Sequence, residues 1–147
     1  MSAFITTKGR YAIRVLIDLA ENGEGGRIPL KEIAERQAIS QKYLESIMAL
    51  LVKADLVSGT HGKGGGYALS IPPEKCTVGM VLRITEGPVG PVACINDGKV
   101  NCERAGVCKT LPLWQKLDVL INDYLNTVTI KDLLGDPGCP PNVILPE

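Results

Sequence analysis

The sequence predicts a mainly α-helical chain with one small β-hairpin and a long appended helix. Three observations carry that prediction. Apolar residues recur at helical spacing over residues 7–21, 30–37 and from 41 to about Asp55. A glycine-rich run, Gly62-Lys63-Gly64-Gly65-Gly66, separates two short strand-like segments. Leu113, Leu117, Leu120, Ile121, Tyr124 and Val128 keep helical periodicity over about four turns. The chain has 147 residues and is 45% hydrophobic, enough for one domain with an appendage and a real core. Aromatic residues make up only 4%, so that core is mainly Ile, Leu, Val and Ala.

Taken in order, Thr6 or Thr7 can cap the first helix, whose Ala12, Ile13, Leu16, Ile17, Leu19 and Ala20 form a wide apolar surface. Lys8, Arg10 and Arg14 lie toward its start, where they can meet phosphates or stand as solvated charges. Asn22-Gly23-Glu24-Gly25-Gly26 is a loop, and Pro29 opens the second helix. Ala38-Ile39-Ser40 is a turn with Ile39 as its apolar plug. Ser40 then caps a third helix, in which Leu44, Ile47, Leu50 and Leu51 make the buried face. Gln41, Lys42, Tyr43, Glu45 and Ser46 fall on the other face near the helix start. Leu56-Val57 begins a hairpin whose tip carries His61 and Lys63, with Tyr67 opening the return strand. The glycine run is no nucleotide phosphate loop, because Tyr67-Ala68-Leu69-Ser70 continues as a strand rather than a helix. Thr77 to Ile84 is a short helix. Gly87-Pro88-Val89-Gly90-Pro91 then begins a loop reaching about Lys109. Thr129 and Asp132 form a capping pair for a last short helix, followed by a patternless tail.

A polar helix face and a glycine tip are each commonplace alone. Their order gives them meaning: two short helices across a tight turn, then a hairpin, is the working end of a winged helix-turn-helix. The N-terminus of the second of those helices is what reaches base edges in a major groove. Net charge is zero, but residues 1–67 carry +2 and residues 68–147 carry −2, which places the nucleic-acid end first. Lys8, Arg10, Arg14 and Asp18 interrupt the apolar stretch from Phe4 to Ala20, so neither a secretory core nor a membrane span is expected, and the chain is expected in the cytoplasm.

Thr7-Lys8-Gly9-Arg10-Tyr11-Ala12, Tyr43-Leu44-Glu45 and Gly64-Gly65-Gly66-Tyr67, continued by Glu86-Gly87-Pro88 and Asp132-Leu133, resemble the winged-helix repressor family that includes IscR, NsrR and CymR. The resemblance covers nearly the whole chain. It implies a homodimeric transcription regulator bound to a palindromic operator. On it, Lys8, Arg10, Ser40, Gln41, Lys42, Tyr43, Glu45, Ser46, His61, Lys63, Gly64, Gly65 and Tyr67 form the DNA-contacting set. His61 stands where members often carry an arginine that enters the minor groove.

Cys94, Cys102 and Cys108 are spaced Cys-x7-Cys-x5-Cys. Soft thiolates on a flexible loop suit an iron–sulfur cluster or zinc, and a metal-free thiol switch is the alternative. The family's cluster-binding members resemble this loop, which implies a cluster of the two-iron type, with four-iron as the variant, labile to oxygen in aerobic preparations. Their usual spacing is Cys-x5-Cys-x5-Cys. IscR-like members place a histidine three residues after the third cysteine, where this chain has Leu111. Other members use an acidic residue near the first helix, and here no Asp or Glu precedes Asp18. Glu103, Asp97, Cys139 or an external ligand stay open as the fourth ligand, while Cys76 is expected to pack as a small apolar residue.

The expected organisation is a DNA-binding domain over 1–84, a cysteine sensor loop over 85–109, a dimerisation helix region over 110–134 and a tail over 135–147. A long apolar helix on a small domain wants a partner, and the same helix of a second copy supplies one through Leu113, Leu117, Leu120, Ile121, Tyr124 and Val128. The alternative is a cluster-free, CymR-like regulator of cysteine metabolism acting through a protein partner. An enzyme is not expected, since His61 is the sole histidine available to activate a thiol.

Overall fold

The computed structural model describes residues 5–135. Helix α1 spans Thr7–Asn22, α2 spans Leu30–Gln37 and α3 spans Gln41–Lys53. Strands β1 (Val57–Thr60) and β2 (Gly66–Leu69) form the antiparallel wing, with Val57 opposite Leu69 and Thr60 opposite Gly66. Helix α4 (Val78–Glu86) follows, then a second hairpin of β3 (Ile95–Asn96) and β4 (Lys99–Val100), then the long helix α5 (Leu111–Thr127). The architecture is the expected mainly helical winged helix-turn-helix with a long appended helix.

Local chemistry sets most element ends. Ser40 Oγ accepts the Tyr43 N–H at 3.2 Å and so starts α3. Ala38, at φ 53°, turns the chain between α2 and α3 while Ile39 plugs the core beneath. Thr77 caps α4 by accepting the Met80 N–H at 3.1 Å. The Thr129–Asp132 pair is a reciprocal capping box, with the Thr129 N–H donating to Asp132 Oδ2 at 2.9 Å and the Asp132 N–H to Thr129 Oγ1 at 3.2 Å. The wing rests on the segment before α2: the Ile28 and Tyr67 N–H groups each donate to the other's carbonyl, at 2.9 and 2.8 Å. A Cβ on Gly66 would lie 2.6 Å from the Ile28 carbonyl, so only glycine allows this close approach.

The main core joins α1, α2, α3, β1 and α4 through Leu16, Ile33, Leu44, Ile47, Met48, Leu51, Val57 and Val81. Met48 is fully buried, whereas Leu50, expected in the core, is half-buried. The reason is angular: at about 100° per residue, Met48 lies roughly 40° from Leu44 around α3, and Leu50 roughly 120°. A second cluster of Val78, Leu82, Val89 and Val128 packs Ile121, Tyr124 and Leu125 of α5 against α4. The loop expected over 87–109 contains a hairpin. Asp97 at φ 53° and Gly98 at φ 75° make its two-residue turn, the Asp-Gly pairing that suits the twist of a tight hairpin. The expected tail falls outside the described residues from 136 onward, and Cys139 with it.

Between α1 and α2 lies a buried charge. Asp18, 1% exposed, takes the Arg36 guanidinium as a two-pronged fork at 3.0 and 2.7 Å and the Gln37 amide at 2.9 Å. The pairing holds the Arg36 guanidinium pKa above its ordinary value, chiefly through the Asp18 hydrogen bond.

Candidate nucleic-acid interface and thiol loop

The start of α3 presents Gln41, Lys42, Glu45 and Ser46 to solvent, with Ser40 at the cap. Tyr43 differs from them. It is half-buried and meets the Tyr11 ring edge-on, with ring centroids 5.9 Å apart. Arg14 lies 5.0 Å over the Tyr11 ring and donates to the Gln37 side chain at 3.1 Å and to the Gln37 carbonyl. So Arg14, read from sequence as a phosphate candidate, braces α1 against α2 and supports Tyr43 from behind. Arg14 thus joins Tyr11 and Gln37 in holding Tyr43 and the α1–α2 pair, contacts that sequence reasoning missed. The helix period already hinted at Tyr11 and Arg14, three apart on one face.

Arg10 is exposed at the start of α1, where its guanidinium donates to Thr7 Oγ1 at 3.2 Å, and Lys8 is half-buried. In the wing, His61, Lys63 and Gly64 are exposed, while Gly65 and Tyr67 are half-buried. Arg27 ties the wing's base down by donating to the Ser58 carbonyl at 3.0 Å. Between α3 and the wing runs a groove of about 430 Å³, with Glu45, Met48, Val52, Lys53, His61 and Tyr67 on its walls. A helix start rich in donors and acceptors, beside a hairpin tip carrying a cation and a histidine, can read base edges while meeting the backbone.

The thiols occupy different environments. Cys76 is 1% exposed, and burial pushes its pKa to about 11, as expected of a packing residue. Cys94 is half-buried just before β3, its carbonyl accepting the Asn101 N–H at 2.7 Å. Cys102 is exposed. Cys108 Sγ lies 3.4 Å from Thr110 Oγ1. That hydrogen bond, backbone N–H groups of Thr110 and Leu111 at the start of α5, and the charge of Arg104 hold its pKa below the ordinary thiol value. The donor chemistry fits a soft metal: three cysteine thiols on one segment, with no competing histidine in the loop. Among the described residues, however, no three Cys, His, Asp or Glu side chains are gathered as a metal-binding group. Leu111, in the first turn of α5, offers no ligand.

The geometry defines a winged helix-turn-helix transcriptional regulator. The chain belongs to the Rrf2 family, described as an iron-dependent transcriptional regulator, whose model matches residues 5–136. It is 38% identical over 132 residues to the HTH-type transcriptional regulator IscR of Aliivibrio salmonicida, covering 90% of this chain and 77% of that one. Among solved structures it is similar to CymR (YrzC), the global cysteine regulator of B. subtilis, with a TM-score of 0.73 and 34% identity over 91% of this chain and 97% of that one. IscR of T. potens gives a TM-score of 0.70 at 34% identity, covering 91% of this chain and 86% of that one. The matched relatives are transcriptional regulators rather than enzymes, and regulators of this family bind DNA. Among the described residues, no helix is long and apolar enough to cross a membrane.

Proposed function

We propose that the chain is a cytoplasmic repressor that binds a palindromic operator as a homodimer and senses through its cysteine loop. Residues 1–84 bind DNA, 85–109 sense, and 110–134 pair with the same helix of a second copy. Gln41, Lys42, Tyr43, Glu45 and Ser46, capped by Ser40, enter the major groove. Lys8 and Arg10 meet phosphates. His61, Lys63, Gly64, Gly65 and Tyr67 bring the wing to the neighbouring minor groove and backbone. The observation that carries this reading is the exposed polar start of α3 beside the exposed wing tip. Salt-dependent binding of a mixed-sequence duplex tests it. Lys63→Ala is expected to weaken all sequences and flatten the salt dependence, whereas Gln41→Ala is expected to shift sequence preference. Neither variant altering binding would remove the assignment.

Cys94, Cys102 and Cys108 would hold an iron–sulfur cluster, two-iron in preference to four-iron, with the loop closing to bring them together. An iron–sulfur cluster held there would supply redox- and oxygen-sensitive chemistry, and its thiolate ligands Cys94, Cys102 and Cys108 would fix the loop that carries them. The loop runs from the last turn of α4 to the first turn of α5, so ordering it constrains the DNA-binding head against the pairing helix. Anaerobic reconstitution of wild type is expected to give stoichiometric iron and sulfide with visible absorbance. Each of Cys94→Ala, Cys102→Ala and Cys108→Ala abolishes that absorbance, and Cys76→Ala keeps it.

A second reading, a metal-free thiol switch, is supported by the Cys108 Sγ hydrogen bond to Thr110 Oγ1 and the direction in which it holds the Cys108 pKa, below the ordinary thiol value. Reconstitution without iron and sulfide favours it. The similarity to CymR keeps a partner-dependent, cluster-free regulator as the remaining alternative.

A further inference from the structure

Helix α1 does not cap itself. The Thr6 hydroxyl accepts nothing from the first turn, and that turn contains no acidic residue. Its donors go instead to one distant carboxylate oxygen. Glu86 Oε1 accepts the Thr6 hydroxyl at 2.5 Å, the Thr6 N–H at 3.2 Å and the Gly9 N–H at 3.1 Å. Gly9 is the third helical residue, so Glu86 takes the N–H that an N-cap side chain ordinarily receives. The acid is oddly placed for its own helix. It is the last residue of α4, at the negative end of that dipole, and gains its compensation from the positive end of α1. The sequence keeps this approach open, since a Cβ on Gly9 would sit 2.4 Å from Glu86 Oε1 and 2.9 Å from Leu82 Cδ2. Gly87, at φ 79°, turns the chain away at once into the cysteine-bearing segment.

We propose that Glu86 is a positioning residue for DNA binding: it fixes the first turn of α1, and with it the charged heads of Lys8 and Arg10, for contact with phosphates. The inference rests on the proposed DNA-binding role of α1. It also makes Glu86 the last fixed point between the cysteine segment and a DNA-facing turn.

The test uses the full chain and a mixed-sequence duplex, with binding measured across a salt series. Glu86→Ala is expected to lower the magnitude of the logarithmic salt slope by about 1 to 2, roughly one per lost phosphate contact. Glu86→Gln, which keeps an oxygen for the Gly9 and Thr6 donors, is expected to restore most of it. In a chain already carrying Lys8→Ala and Arg10→Ala, adding Glu86→Ala is expected to change the slope no further, because the contacts it positions are gone. A folded Glu86→Ala protein with the wild-type slope overturns the proposal, as does a loss that adds fully to that of Lys8→Ala with Arg10→Ala. If Lys8→Ala with Arg10→Ala leaves the slope unchanged, the phosphate role of α1 is itself wrong and the positioning role falls with it. Should Glu86→Ala not fold, Glu86→Asp, shorter by one methylene, is read by the same criteria.

Discussion

The winged-helix head and the segment beyond α4 are built on different terms. In the head, α1, α2, α3, the wing and α4 close around one apolar core that also takes in Ile130, and its buried acid, Asp18, is held by Arg36 and Gln37. Beyond α4, Ile121, Tyr124 and Val128 pack home onto the second cluster, while Leu113 is 57% exposed and Val107 72%, with Val119 and Leu120 also open. The same helix therefore serves its own chain with one stripe and leaves another uncovered. A head whose core is closed, with Ile130 from beyond α5 filling it, can hold a constant DNA-reading surface. An appendage left open can change its packing when a partner or sensor event arrives.

The largest expected effect breaks the second half of that comparison. Leu113→Glu together with Leu120→Glu places charges on the open stripe and spares the residues that pack inward. If a second copy covers the stripe, each buried unpaired carboxylate costs on the order of several kcal/mol. Sedimentation is expected to show monomer, and operator affinity to collapse, with the thermal midpoint of the head unchanged. A wild-type monomer at micromolar concentration removes the dimer.

The next effect breaks the head. Arg36→Met strands a buried carboxylate with only Gln37 for company, and is expected to cost about 3 kcal/mol, toward the low end for a broken buried pair because Arg36 is itself 36% exposed. Asp18→Asn leaves behind a cation that can reach water, so it is expected to cost less. Urea unfolding checks the order through the midpoint at constant slope. Equal losses would mean that the pair acts only as a surface bridge.

The head was legible because its signals are local. Ser40 and Thr77 cap at fixed offsets, and the glycine tip announces the wing. The Asp97-Gly98 hairpin was also written locally, and was obscured by the surrounding glycines and prolines. What stayed hidden acts across the chain. Glu86 meets Thr6 eighty positions away, and Arg14 meets Gln37 across a helix pair, so no window of sequence contains both partners. The candidate thiols were legible as a motif, but their arrangement was not, since spacing along a chain sets no distance within a folded loop.

Cys76 and Cys108 carry the comparison into pH. The Cys76 thiol is raised from 9.0 to about 11 in the folded chain, so the protonated thiol is favoured there. Its contribution is whole below the unfolded-state pKa and is lost as pH rises through that value toward about 11. Across that window stability is expected to fall by roughly 2–3 kcal/mol. Cys76→Ala is expected to flatten the decline relative to wild type in unfolding titrations from neutral to alkaline pH. An unchanged decline would mean that other groups dominate it.

The smallest effect concerns the loop. Cys108 is held toward its thiolate by Thr110, by N–H groups at the start of α5 and by Arg104, although Cys102 is the more exposed thiol. If exposure governed reactivity, Cys102 would alkylate first. If thiolate population governs it, Cys108 leads near neutral pH and its advantage shrinks as pH rises past the ordinary thiol range. Timed alkylation of the metal-free protein with iodoacetamide, read by peptide mass, is expected to show Cys108 ahead at neutral pH. Thr110→Val removes the Thr110 hydroxyl that stabilises the Cys108 thiolate and is expected to slow Cys108, while Cys102 keeps its rate. Equal rates at Cys102 and Cys108, insensitive to Thr110, would leave the loop's thiols undifferentiated and take the thiol switch's motivating observation with them.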